Sequence, residues 1–197
     1  MAALQTGESM LDVLSSNEIV RAVPVLNMAV GLLKTVDDVR PAALKAKILT
    51  FITDERLRDS FEAKNIRAKL DGEEAERIGE TIFLTLDKVT DLKKPLLLAQ
   101  VFGAYLDDQI ESRVLLLLAH AIDIAFAGDL EYFIEKRGSA APDEELAVER
   151  LASVGLFDFY VSNALSGGDK HYQLSPMGSS LLHALRLNDS PNGNHDI

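Results

Sequence analysis

The sequence predicts a mainly α fold, a multi-helix bundle followed by a small C-terminal appendix that contains a β-hairpin. Three observations carry this. Up to about residue 137, apolar side chains recur at helical spacing in segments separated by Pro, Gly and Asp breaks. Residues 92–127, LKKPLLLAQVFGAYLDDQIESRVLLLLAHAIDIAFA, hold two strongly apolar segments joined at DDQIES, the pattern of an antiparallel helical hairpin at the centre of a bundle. After residue 155 the period changes: FDFYV alternates, HYQL can form a second strand, and SGGD between them is hairpin-turn material.

Taken in order, residues 1–8 read as a loose end, and Met10, Val13, Leu14 and Ile19 give a helical stripe that Pro24 breaks. VPVLNMAVGLL (23–33) is apolar on most faces and reads as a buried helix with Gly31 placed at a close crossing, the alternative being an interfacial membrane segment, which its flanks disfavour for want of basic and aromatic residues. Pro41 suits the first turn of the next helix, whose stripe is Leu44, Ile48, Phe51 and Ile52. Asp54 fits as the N-cap of a helix carrying Leu57 and Phe61. Asp71-Gly72 marks a turn. Glu73, Glu74 and Glu76 then crowd a helix N-terminus, where the macrodipole favours carboxylates, ahead of Ile78, Ile82, Phe83, Leu86 and Val89. Pro95 sits near the start of the following helix, and Gly103 inside it predicts a close helix approach. Val114 to Phe126, interrupted only by His120 and Asp123, is apolar on nearly every side and is expected in the middle of the bundle. Leu130, Phe133 and Ile134 continue a shorter helix, and RGSAAPD (137–143) is the linker candidate. DEELAVERLASVGL reads as a helix with an acidic first turn and Gly155 at its C-terminus. Ser175 and Pro176 open the last helix as N-cap and first residue. The expected organisation is a bundle over 1–137, a module over 143–187 and a polar tail over 188–197.

Composition narrows the function classes. The 197 residues are 47% hydrophobic and 26% charged, enough for a substantial core without staples. Cysteine is absent, which removes disulfides, thiolate metal sites and a cysteine nucleophile. Tryptophan is absent and aromatics are 6%, thin for a carbohydrate or single-stranded nucleic-acid platform. The net charge of -11 and pI near 4.8 oppose general nucleic-acid binding. The N-terminus lacks a basic n-region followed by an apolar core. No apolar run approaches the roughly 20 residues that span a bilayer. A cytoplasmic protein is expected. Residues 34–70 hold the only basic surplus, with the two signs interleaved as on a solvated face.

The string ERLASVGLFDF…GGDKHYQLSPMGSSLLHAL resembles the end of a winged-helix module of the MarR or PadR kind. In those families a recognition helix ends in Gly-Leu, a two-stranded wing follows, and Leu-Ser/Thr-x-x-Gly-x-x-Leu opens the last helix. Gly155-Leu156 and Leu174-Ser175-Pro176-Met177-Gly178 occupy those places. The resemblance covers about residues 143–187 and implies a winged-helix-like fold, with DNA binding as the usual activity. The stretch GETIFLTLDKVTDLKKPLLLAQVFGAYLDDQI is similar to bacterial helical proteins to which no activity attaches. The charges depart from the DNA-binding pattern. The candidate recognition helix sets Asp143, Glu144, Glu145 and Glu149 against Arg150 alone, and residues 142–197 carry eight carboxylates against three Lys or Arg.

Candidate chemistry is sparse. His120 and Asp123 share a helix face, within reach of Arg113, yet no second ligand pair at i, i+4 accompanies them, so a polar stripe with His120 bonded to Asp123 or a carbonyl is expected. Asp107, Asp108 and Glu111 read as a polar helix–helix loop. Gly167-Gly168 lacks the residues of a phosphate loop, Ser179-Ser180 has no base or elbow pattern, and His171, His183 and His195 share no helical spacing. No catalytic, cofactor-binding or metal-ligating residue is nominated, and no cofactor. The candidate protein-contact residues are Glu145, Glu149 and Tyr160, with alternation burying Phe157 and Phe159 and turning Tyr160 to the other face. The expected function is that of a non-enzymatic interaction or regulatory protein, with a protein partner or a homo-oligomer. The alternative is a winged-helix DNA-binding transcriptional regulator acting as a dimer, its basic face assembled from residues 34–70.

Overall fold

The computed structural model describes residues 12–23, 26–27, 30–31, 39–63, 69–140, 145–162 and 169–186. The chain is mainly helical with one two-stranded antiparallel sheet near the C-terminus. It divides into two compact units, residues 1–123 and 124–197.

In the first unit a helical turn at 12–16 precedes α1 (Glu18–Ala22), whose N–H groups at Ile19 and Val20 donate to the Asn17 side chain. Then come α2 (Val39–Ile52), α3 (Glu55–Ala63), α4 (Glu73–Lys88), α5 (Lys93–Leu106) and α6 (Ser112–Ile124). Asp54 caps α3 as expected, its Oδ1 accepting from Leu57 N at 2.9 Å. The acidic first turn of α4 and its buried stripe of Ile78, Ile82 and Leu86 also follow the pattern.

The two helices α5 and α6 form and are joined over residues 107–111, but the central helix is α5. Leu98, Ala99 and every residue from Val101 to Leu106 are buried on it. α2 and α3 pack against it, and the Phe102 ring stacks between Phe51 at 5.9 Å and Tyr105 at 6.1 Å. A Cβ at Gly103 would stand 3.3 Å from Ser60 Oγ and 3.5 Å from Leu57 Cα, so the small residue is what lets α3 approach. The expectation that Val114–Phe126 occupies the middle is overturned. Leu115, Leu118, Ala119, Ala121 and Ile122 are buried, whereas His120, Ile124 and Phe126 are exposed and Leu117 is 47% exposed. An all-apolar stretch does not say which face has a neighbour; α6 is covered on one side only. Gly31 is exposed, and among the described residues nothing lies within 4 Å of where its Cβ would stand.

Three lysines finish three of these helices. Lys47 Nζ donates to Asp87 O at 2.7 Å and Val89 O at 3.0 Å, at the end of α4. Lys69 Nζ donates to Tyr105 O and Leu106 O, each at 3.2 Å, at the end of α5, and pairs with Asp108. Lys94 Nζ donates to Asp123 O at 2.8 Å, in the last turn of α6. The last carbonyls of a helix lack intrahelical donors and lie at the negative end of its dipole, so an ammonium is suited to them twice over. Burial pulls the Lys94 ammonium below the ordinary lysine range, with Asp123 and Asp91 drawing it back up. Lys47 and Lys69 belong to the basic surplus of residues 34–70, for which the interleaved charges predict a solvated face. Lys47 is buried, and both cap helices.

The second unit holds α7 (Ala127–Glu135), α8 (Glu145–Ser153), β1 (Phe157–Ser162), β2 (Asp169–Leu174) and α9 (Pro176–Ala184). α7 therefore lies with the C-terminal elements rather than with a bundle ending at 137. Its Phe133 ring meets Phe157 edge-on at 5.5 Å, and its Asp129 binds Arg150 of α8. β1 and β2 pair from Phe157↔Leu174 to Ser162↔Asp169. Phe157 is buried, but Phe159 is 62% exposed, which overturns the expectation that both are covered. A two-stranded ribbon has no second layer of its own. Phe157 has Phe133 against it, while Phe159, two residues further out, has the Tyr172 ring beside it at 6.5 Å. The expected tail, 188–197, and the turn between the strands, 163–168, lie outside the described residues.

Candidate interaction site

Helix α8 and the ribbon are tied together by the two halves of the quoted resemblance. α8 ends with Gly155 at φ 83°, and Leu156 N donates back to Leu151 O at 2.9 Å, a Schellman-type ending that needs the left-handed residue. Ser175 then does two jobs. Its Oγ accepts from Gly178 N at 2.9 Å, capping α9, and donates to Gly155 O at 2.6 Å. A Cβ on Gly178 would fall 2.3 Å from Leu156 O, so the helix start lies directly on that carbonyl. The Leu-Ser-x-x-Gly pattern is thus a packing device that fixes α9 on the α8–β1 corner.

Upon this frame α8 presents its charged residues. Arg150, the one basic residue of the helix, is held by Asp129: Nε to Oδ2 and Nη2 to Oδ1, each 2.6 Å, a two-bonded fork on a buried carboxylate. On the residue just before it, the Glu149 carboxylate accepts from Lys170 Nζ and from Tyr172 Oη at 3.1 Å. Those hydrogen bonds, Lys170 first, hold Glu149 below the usual carboxylate range, and Glu149 in turn raises Lys170. Partial burial and the Glu149 hydrogen bond raise the Tyr172 hydroxyl.

Beside this cluster lies a cleft of 390 Å³ lined by Ala140, Glu145, Val148, Tyr160, Lys170, His171 and Tyr172. Tyr160 opposes His171 in the register, and their rings stack at 5.1 Å and 23°. His171 Nε2 lies 2.8 Å from Ser162 Oγ, which fixes the imidazole. Of the three nominated residues, Glu145 and Tyr160 line this cleft together. Glu149 meets it through Lys170 and Tyr172, which it binds. Sequence reasoning missed Lys170, His171 and Tyr172 as partners of that set. The alternating pattern gave the strands, but which residue faces which depends on the turn length, and Gly167-Gly168 admits more than one register.

A second cleft, of 540 Å³, lies in the first unit and is lined by Lys69, Glu74, Tyr105, Asp108, Gln109, Ile110, Glu111 and Ser112. Lys69 Nζ stands 5.4 Å from the centre of the Tyr105 ring, and Ser112 Oγ donates to Glu74. Burial, then Glu74 and Asp108, pushes the Tyr105 hydroxyl upward, the opposite of activation for base chemistry. Lys69 is engaged with helix carbonyls. His120 is exposed, and Asp123 engages Lys88 at 3.6 Å and Lys94 instead of the histidine, so the expected His120–Asp123 bond is absent. Among the described residues no group of three or more His, Asp or Glu could hold a metal ion, and no helix is long and apolar enough to cross a membrane. No family model matches the sequence, and neither a curated protein nor a solved structure matches it.

Proposed function

We propose that this is a cytoplasmic, non-enzymatic interaction protein that contacts a protein partner through the α8–ribbon surface of a winged-helix-like C-terminal module. The carrying observation is the fate of the module's cations. Arg150 is bound by Asp129 and Lys170 by Glu149, both within the same unit. Duplex binding draws on cations that can exchange counterions for phosphates, and here the two basic residues of the helix and wing are paired with carboxylates. Phe159, Tyr160 and Val161 of the ribbon and Leu146 of α8 are all exposed. Aromatic side chains at an exposed ribbon are the composition of protein-contact cores rather than of phosphate-binding faces.

A photo-reactive residue placed at position 160, with position 80 on α4 as control, tests this in cells of the native host. A discrete protein adduct from position 160 and none from position 80 is expected. Adducts to nucleic acid, or binding of mixed-sequence duplex that weakens steeply with salt, would place the protein in the DNA-binding class instead.

A further inference from the structure

We propose that the cleft beside the ribbon receives a single arginine side chain of the protein partner, its guanidinium lying on the Tyr160 ring and meeting the Glu145 carboxylate. The inference rests on the protein-contact reading and gives that contact its chemistry. Two aromatic rings and an imidazole line the cleft: Tyr160, Tyr172 and His171. A ring face attracts a cation through its quadrupole, most effectively when the ring is already fixed. Tyr160 is fixed on one face by the His171 stack, and His171 by Ser162, while 52% of Tyr160 remains accessible.

The carboxylates of α8 are not equivalent. Glu149 is occupied by Lys170 and Tyr172. Glu145, one turn earlier and on the cleft wall, has no hydrogen bond or ion pair among the described residues. Lys170 also lines the cleft, but its charge is met by Glu149 at contact distance. Two carboxylates therefore face one ammonium, and the local balance calls for one more cation. A planar guanidinium suits this place better than an ammonium, because it can stack on a ring and bond a carboxylate through a fork at once. The 390 Å³ of the cleft has room for that group and its stem.

The test uses the full chain and a capped Gly-Ser-Arg-Ser-Gly peptide. Its comparison probes are the same peptide with citrulline, the neutral isostere, and tetramethylammonium chloride. Ring-proton shifts of Tyr160, Tyr172 and His171 are followed by NMR. Saturable shifts with the arginine peptide are expected, with binding about tenfold weaker for the citrulline peptide and about tenfold weaker in Glu145→Gln and in Tyr160→Leu. Both positions are exposed, so circular dichroism of each variant should match wild type. Equal binding of the arginine and citrulline peptides, shifts that do not saturate, or unchanged binding in both variants overturns the site. Tighter binding of tetramethylammonium than of the arginine peptide overturns the side-chain assignment in favour of a small quaternary cation. The crosslinking at position 160 uses no cationic probe, so failure here refutes the guanidinium site and leaves protein contact to its own experiment.

Discussion

Breaking the Asp129–Arg150 fork from its two ends should destabilise the second unit unequally. The Asp129 side chain is 5% exposed and the Arg150 side chain 47%. Arg150→Ala leaves a carboxylate away from water without its two donors, and an uncompensated buried charge costs about 3–5 kcal/mol. The fork is half open to solvent, so water entering the vacated space recovers part of this, and about 2–4 kcal/mol is expected. Asp129→Ala leaves a guanidinium that already reaches solvent and can turn outward. The net loss is then that of hydrogen bonds to a charged group, about 1–2 kcal/mol. The double variant should lose about 1–2 kcal/mol as well, so removing Asp129 should rescue Arg150→Ala. The chain has no tryptophan, so unfolding is followed by tyrosine fluorescence and far-UV circular dichroism together. On a thermal scan Arg150→Ala should melt about 5–15 °C lower than wild type. An Asp129→Ala deficit larger than that of Arg150→Ala, or single losses that simply add in the double variant, would refute the buried-carboxylate argument.

Other consequences can be checked on the same footing. Leu118→Ala should cost about 2–5 kcal/mol and Leu117→Ala less than about 1 kcal/mol, because only Leu118 is enclosed; equal losses by urea titration would contradict the one-sided burial of α6. Lys47→Met should cost about 1–3 kcal/mol and speed amide exchange over the last turn of α4, and exchange unchanged there would show that the ammonium is not its cap. Gly178→Ala should cost about 3 kcal/mol or more, since its Cβ would meet a backbone carbonyl; a variant melting with wild type would contradict the packing of α9 on Leu156. Glu149 has its folded pKa depressed, so its contribution is present above the ordinary carboxylate range and is lost as pH falls through the lowered value. Lys170→Gln should return the Glu149 midpoint toward the ordinary range in a carboxyl NMR titration, and an unmoved midpoint would separate the two groups.

What the sequence disclosed was local. Asp54, Gly155, Pro176 and the capping bond of Ser175 act through neighbours within a few residues, and each stands where its chemistry places it. Gly103 was legible because an isolated glycine in an apolar helix has few other uses. The errors arose where a second element decides. Leu117 and Phe159 look buried in any periodicity argument, yet burial needs a neighbour on that side, and no pattern within a helix or ribbon supplies one. Lys47 reaches carbonyls forty residues away, and Asp129 meets Arg150 across twenty-one, distances at which a single sequence carries no signal. The nominated site was partly visible for a different reason. Glu145 and Tyr160 were chosen as an acidic helix face and an outward aromatic, and the fold of the ribbon brings them to one cleft.

The turn and cap residues of the second unit and its surface charges are set by different contacts, so one can vary without the other. The glycine and serine positions that resemble a winged helix act through backbone: Gly155 turns the chain, Ser175 bonds Gly155 O, and Gly178 lies on Leu156 O. None of these contacts depends on what α8 presents outward. The charged side chains of the proposed contact sit elsewhere, at Glu145, Glu149, Arg150 and Lys170, and can change sign without disturbing the corner. Here the two cations turn to carboxylates of their own unit, and one acidic group and a fixed aromatic ring remain directed at the cleft. A surface of that kind repels a phosphate backbone and attracts a cation, which supports the proposed contact with a protein's basic side chain over the nucleic-acid contact that the resemblance implies.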